Sequence, residues 1–199
     1  MTAMDALKTV TPEEYLRLER AWPDKHEYRD GRIVAMTGPS KDHNRVTFDL
    51  ARHLAAQLED GRCELFVNDM RVRLPVTNSY VYPNVVVVCG EPAFEDASLD
   101  TLLNPTVVIE VLSPSTERYD RAEKFAAYRT LPSIQAIVLV AQDQVAIETF
   151  ERRGDVWAID RIADLADALR LEALGCAVAL ADVYRRVNVA DGGAAIDAG

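Results

Sequence analysis

Apolar and polar positions follow two periods along this chain. Where apolar residues recur every three or four positions a helix is expected, and where they alternate or run together a strand is expected. Thr11-Pro12-Glu13-Glu14 pairs a capping box with proline at the first helical position. Tyr15, Leu18 and Trp22 follow at helical spacing until Pro23 ends the pattern. His26 to Met36 reads as a hairpin turning at Asp30-Gly31. A helix from about Asp42 to Glu59 carries the stripe Val46, Leu50, Leu54 and Leu58, with Gly61 as its stop. Cys63–Val67 and Met70–Leu74 read as strands, the second alternating Val72 and Leu74 against Arg71 and Arg73. After Cys89-Gly90 comes an acidic loop through Glu91, Glu95, Asp96 and Asp100, expected to be solvated. Further strands are expected at Ile134–Val140, at Val145–Phe150 and through Trp157 and Ile159. Asp167–Leu174 and Leu180–Tyr184 are short elements that the pattern does not type.

Two runs break the apolar rule in an informative way. Val81–Val88 and Thr106–Leu112 are Val- and Ile-rich and bounded by Gly or Pro, as strands buried on both faces are. The first contains Asn84 and the second Glu110. In a strand Val108, Glu110 and Leu112 share one face, and Val107, Ile109 and Val111 the other. A buried carboxylate needs compensation, which a metal ion or a lysine can supply; the alternative is a strand end that escapes into water.

The next segment offers the lysine. Ser113-Pro114-Ser115-Thr116 makes a turn, with Thr116 the expected N-cap of a helix in which Asp120, Lys124 and Tyr128 fall at i, i+4 and i+8. On spacing alone Asp120 and Lys124 are a surface ion pair. A turn that folds the helix back over the strand end brings Lys124 towards Glu110. Ala122, Phe125 and Ala126, on the other face, are expected to pack on the sheet.

These segments resemble a known family. Thr106-Val-Val-Ile-Glu-Val-Leu-Ser-Pro-Ser-Thr with Asp120, Lys124 and Tyr128, and Tyr82-Pro83-Asn84-Val-Val-Val-Val-Cys-Gly-Glu-Pro, are similar to the signature of the Uma-two family of restriction-endonuclease-like proteins, within the PD-(D/E)XK nuclease superfamily. His26-Glu27-Tyr28, Asp30-Gly31, Ser40, His43-Asn44 and Val178–Tyr184 extend the likeness over roughly residues 10 to 187. It implies a single α/β (α+β) domain over 10–187, a restriction-endonuclease-like mixed sheet flanked by helices, and a Mg²⁺- or Mn²⁺-dependent endonuclease site acting on DNA. It assigns Glu110 and Asn84 to the metal and to catalysis, and Lys124 to catalysis. Glu27, His43, Asp120 and Tyr128 become supporting or substrate-binding residues. The family pattern has Asp where this chain has Asn84. An amide offers a divalent ion no formal charge, so weakened metal binding is expected, and a nuclease-like DNA-binding or assembly module is the alternative function. A homodimer is compatible with either.

Composition adds limits. The 199 residues suffice for one substantial core, and no apolar run reaches membrane-spanning length. Residues 1–9 read as a loose leader and 188–199 as a disordered tail, Gly- and Ala-rich from Asp191. Cys63, Cys89 and Cys176 are odd in number and lack metal-ligand spacing, so the chain reads as a reduced, cytoplasmic protein with Cys89 a small core hydrophobe. A net charge of −10 argues against general attraction to DNA, leaving a local groove as the route, to which Arg71, Arg73, Arg45 and Arg52 are candidates.

Overall fold

The computed structural model describes residues 9–59 and 61–189; the expected leader up to residue 8 and the tail from residue 190 lie outside the described residues. In chain order the elements are α1 (Pro12–Glu19), β1 (His26–Arg29), β2 (Arg32–Ala35), α2 (Lys41–Ala55), β3 (Cys63–Val67), β4 (Arg71–Leu74), β5 (Ser79–Val81), β6 (Val85–Cys89), β7 (Thr101–Leu102) and β8 (Val107–Leu112). There follow α3 (Glu117–Tyr119), a π turn (Asp120–Lys124), α4 (Phe125–Tyr128), β9 (Ala136–Ala141), β10 (Ile147–Arg153), β11 (Val156–Ile162), β12 (Ala168–Leu171), β13 (Cys176–Ala179) and α5 (Leu180–Val183). Of the two short C-terminal segments that the pattern could not type, Asp167–Leu174 contains the strand β12 and Leu180–Tyr184 the helix α5.

The central sheet has the order β11-β10-β9-β8-β6-β3 and is mixed: β8 runs antiparallel to β6 and parallel to β9. A parallel neighbour requires a crossover, and the helical segment 117–128 makes it. A second sheet, β2-β1-β5-β4-β7, and the hairpin β12-β13 complete an α+β domain.

The alternation expected in the two central runs is observed. Val85, Val87, Val107, Ile109 and Val111 pack with Val46, Leu50 and Leu54 of α2. Val86, Val88, Val108 and Leu112 pack on the opposite face with Ala127 and Tyr128. Ser40 caps α2 by accepting from the His43 N–H at 3.1 Å, and Gly61 follows with φ +74°. Thr11 likewise caps α1, accepting from the Glu14 N–H. This helix ends at Glu19 and buries Tyr15 and Leu16, leaving Trp22 exposed.

Four expectations need correction. The crossover helix presents Lys124, Ala127 and Tyr128 to the sheet, while Ala122 and Ala126 face solvent. The reason is electrostatic: the carboxylates on the sheet side attract the lysine and outweigh the burial of two methyl groups. Cys63 and Cys89, directly opposed in the β3–β6 ladder, form a disulfide instead of standing as free thiols; Cys176 is buried. The acidic loop is docked, not merely solvated, because Arg20 binds both Asp96 and Asp100 at 2.8 Å. Finally, the four arginines do not form a groove. Arg71 is 3% exposed and bonded to Thr101, Tyr82 and Asp100. Arg73 binds Asn78 and the Ser79 carbonyl, Arg45 the Arg186 carbonyl, and Arg52 Asp49. Each has a nearby acceptor, although Arg45 and Arg52 stay partly exposed. No helix among the described residues is long and apolar enough to cross a membrane.

Candidate active site

The site begins with a strand pairing. Val85 is opposite Ile109 and Val86 opposite Val108, so one further step in the register places Asn84 opposite Glu110. Directly opposed residues of an antiparallel pair project to the same face. Both therefore lie on the side of the sheet that the crossover helix covers.

Glu110 is 3% exposed. Its Oε1 accepts a 2.6 Å hydrogen bond from the Tyr128 hydroxyl and lies 3.1 Å from Lys124 Nζ. Lys124 also reaches Asp120 Oδ1 at 3.2 Å and Glu27 Oε1 at 3.0 Å. The helix stripe expected from i, i+4 and i+8 is thus delivered to the strand. It arrives through a π turn, a wider coil that recurs at functional sites. Glu27, which the resemblance made a supporting or substrate-binding residue, is 4% exposed and in the cluster.

Three buried carboxylates face two cations, Lys124 and Arg29, the latter 2.7 Å from Glu27 Oε2. Burial pushes Glu110 up to about 7; Asp120 and Glu27 add to the rise, against Lys124 and the Tyr128 hydroxyl. Burial also opposes ionisation of Glu27, but Lys124 and then Arg29 outweigh it and lower that carboxyl. For Lys124 burial works against the charge, and Glu110, Glu27 and Asp120 together overcome it, holding the ammonium well above its ordinary range. Lys124 is therefore a fixed cation, and Glu110 is the carboxylate that takes a proton near neutrality.

Asn84 is half-buried. Its Oδ1 accepts a 2.7 Å hydrogen bond from the Val111 N–H and its Nδ2 donates to Asn68 Oδ1. One lone pair of the amide oxygen is thereby committed to bracing the strand that carries Glu110. His43, on the first turn of α2, is 8% exposed. Burial lowers its pKa, opposed by the Val111 carbonyl and the Asp120 carboxylate.

Two participants were not foreseen. Arg29 holds Glu27 and stacks on the Tyr119 ring, 3.4 Å from its centroid. Arg29 shares a strand face with Glu27, two residues away, a spacing that could have revealed it. Asn68, which has φ +60° and receives the Asn84 amide, carried no signal beyond its place in a turn.

Among the described residues no group of three or more His, Cys, Asp or Glu side chains is arranged to hold a metal. However, carboxylates outnumber cations in the cluster, Glu110 is driven towards protonation, and Asn84 retains a free lone pair on the same face. This set fits one hard cation, with a single formal charge from its protein ligands.

Comparisons with known proteins identify the family and the fold. Residues 12–181 match the family model Uma2, described as "Putative restriction endonuclease". Two uncharacterised proteins of Synechocystis sp. are similar. One, sll1609, is 38% identical over 155 residues, which is 78% of this chain and 88% of that protein. The other, slr1290, is 37% identical over 177 residues, 88% of this chain and 92% of that protein. A crystal structure from Anabaena variabilis, described as "a putative nuclease belonging to DUF820", superposes with a TM-score of 0.71. It covers 88% of this chain and 98% of that one at 14% identity, a likeness of fold. With most of its length matched by the family model and by relatives above 30% identity, the chain belongs to the Uma2 family.

Proposed function

We propose that this protein is a metal-dependent endonuclease that hydrolyses DNA phosphodiester bonds, with activity limited by Asn84. The observation that carries the reading is the contact of one buried lysine with three carboxylates, beside a half-buried amide on the neighbouring strand. Membership of the Uma2 family supports a nuclease in general terms.

Glu110 and Asn84 would hold a Mg²⁺ or Mn²⁺ ion, which would supply positive charge to stabilise the reacting phosphate. The protein's own groups do the rest. Lys124 is a compact cation that stays charged and stabilises the negative charge developing on phosphorus. Glu27 and Asp120 fix its position, and Arg29 anchors Glu27. Tyr128 holds Glu110 in one orientation through its hydroxyl.

A second reading, a DNA-binding or assembly module without catalysis, is favoured by the Asn84 oxygen being spent on the Val111 N–H. Nicking of supercoiled plasmid with Mn²⁺ separates the two. The nuclease reading expects nicking that disappears in Glu110→Gln. Plasmid left intact both by this protein and by Asn84→Asp leaves the module as the function.

A further inference from the structure

β11 (Val156–Ile162) is the outer strand of the six-stranded sheet, and among the described residues no strand pairs with its far side. Edge strands in native folds are normally short, or guarded by charge, proline, a bulge or a covering segment. β11 runs for seven residues in unbroken register with β10, contains no proline, and confines its charges to Asp160 and Arg161. It exposes Val156 and Ile159, at 65% and 63%, with Trp157 half-buried between them. Ile159 is opposite Phe150, whose ring packs on that of Phe125 with centroids 4.4 Å apart. Ile159 thus ends an apolar row that starts on α4.

The outward-facing peptide groups of this edge follow from its hydrogen bonds. The Arg152 N–H donates to the Gln135 carbonyl on the β9 side at 2.8 Å, so Arg152 and its opposite residue Trp157 exchange no ladder bond. Such pairs alternate along an antiparallel ladder, which turns the peptide groups of Trp157, Ile159 and Arg161 away from β10. The Arg161 N–H agrees, since it donates to the Asp160 carboxylate at 2.9 Å. Ile159 is the midpoint of the strand and carries both an outward peptide group and an exposed apolar side chain.

We propose that a second copy of this chain docks on this edge, its β11 antiparallel to the first, with the two-fold axis at Ile159. What selects that occupant is the strand's complementarity to itself. With the axis at Ile159 all seven residues pair. Ile159 meets Ile159 of the second copy, which brings the two apolar rows end to end. Val156 meets Ile162, Trp157 meets Arg161, and Ala158 meets Asp160. These are apolar, aromatic–cation and neutral–charged pairs, and no like charges are opposed. An axis at Arg161 would set two guanidinium groups against each other, and one at Trp157 would leave most of the strand unpaired. The Asp160 carboxylate releases the Arg161 N–H, which donates instead to the Trp157 carbonyl of the second copy. The contact is isologous, so assembly closes at two copies. This inference is independent of the nuclease reading.

The test uses the full-length chain. Sedimentation velocity from low to high micromolar protein, at about 0.15 M salt to screen the repulsion between two chains of net charge −10, should show a monomer–dimer equilibrium. Ile159→Lys should weaken it by roughly tenfold or more, because the isoleucine is lost from both sides of the axis. Ile159→Pro also removes the outward N–H, costs no ladder bond to β10, and should abolish the dimer in a chain that still folds. Ile159→Lys, at an exposed position, keeps the test valid if the proline variant is destabilised. Ile159→Cys reads the register, since opposed Cα atoms of a hydrogen-bonded pair lie about 5.5 Å apart, within reach of a disulfide. In air it should form a covalent dimer that dithiothreitol reverses. Val156→Cys, opposite Ile162, should not, nor should the parent, whose cysteines are paired or buried. A parent that stays monomeric throughout overturns the inference, as does a dimer untouched by Ile159→Lys. Crosslinking of Val156→Cys as fast as Ile159→Cys overturns it too.

Discussion

Lys124 Nζ lies 3.0 Å from Glu27 Oε1, although 97 residues separate the two and they belong to different layers of the fold. The contact ties the N-terminal sheet to the crossover helix. It makes Lys124 a junction between sheets as well as a catalytic candidate.

Removing that junction should be costly. Lys124→Ala leaves three buried carboxylates with one cation, Arg29, and breaking a buried ion pair on one side typically costs about 3–5 kcal/mol. The loss should be larger at pH 8 than at pH 5.5, because the stranded carboxylates take up protons as pH falls. Urea denaturation of both proteins at the two pH values measures it. A uniform loss at both would show that packing, not charge, is what Lys124 provides.

Glu110 gives the protein a characteristic pH slope. Its folded pKa, about 7, stands above the unfolded value near 4.5. The folded state therefore binds more protons across this window, and stability attributable to Glu110 declines as pH rises from about 4.5 to 7. Glu27 works in the opposite sense: its pKa is lowered, so its contribution is present above the unfolded value and is lost as pH falls through the folded one. Glu110→Gln should flatten the first slope and gain stability relative to the parent at pH 8 by about 1–3 kcal/mol, at roughly 1.4 kcal/mol per pKa unit. Chemical denaturation from pH 5 to 8 checks the sign. A gap between the two proteins that stays constant with pH contradicts it.

Much of this site was legible in the sequence, and the exceptions have physical reasons. Glu110 and Asn84 stood out because a hydrogen-bonding residue in a doubly buried strand needs a partner. Lys124 and Tyr128 followed from helical spacing after a turn. The helix face was misjudged because apolar periodicity treats alanine as core and lysine as surface, and cannot weigh a carboxylate already waiting in the sheet. The Cys63–Cys89 pairing depends on the β3–β6 register, which 26 residues of intervening chain conceal. Arg71 alternates like a solvent-facing strand residue, yet its partners Tyr82, Asp100 and Thr101 come from other segments.

Arg71 therefore belongs to the structure and not to a DNA groove. Arg71→Ala should destabilise the fold by about 2–4 kcal/mol, because it leaves the Tyr82 hydroxyl and Asp100 short of a buried partner. DNA binding by the folded variant should be unchanged. For the parent, binding should be weak and should fall steeply as salt rises from 50 to 200 mM, given a net charge of −10. Fluorescence anisotropy with a labelled duplex measures both. A reduced salt slope in the folded Arg71 variant would return this residue to the interface.

The last prediction turns on Asn84. Its oxygen accepts from the Val111 N–H, and a carboxylate can accept the same bond, so Asn84→Asp should preserve the strand pairing. What the substitution loses is the Nδ2 donor to Asn68 Oδ1, a long contact at 3.4 Å that Asn68 can restore by presenting its own amide nitrogen. What it adds is a second formal charge directly opposite Glu110. Without metal, the two carboxylates repel on the face that already drives Glu110 towards protonation, and stability should fall by about 1 kcal/mol. With metal the same charge is an advantage, since a divalent ion leans on carboxylates and gains little from a neutral amide. Isothermal titration with Mn²⁺ should show weak binding in the protein as it stands and at least tenfold tighter binding in Asn84→Asp. Plasmid cleavage should rise in parallel and should collapse in Asn84→Asp combined with Lys124→Ala. Equal cleavage by the parent and by Asn84→Asp would establish Asn84 as an adequate ligand. A folded, Mn²⁺-loaded Asn84→Asp that leaves plasmid intact would instead make the cluster a structural junction serving a binding module.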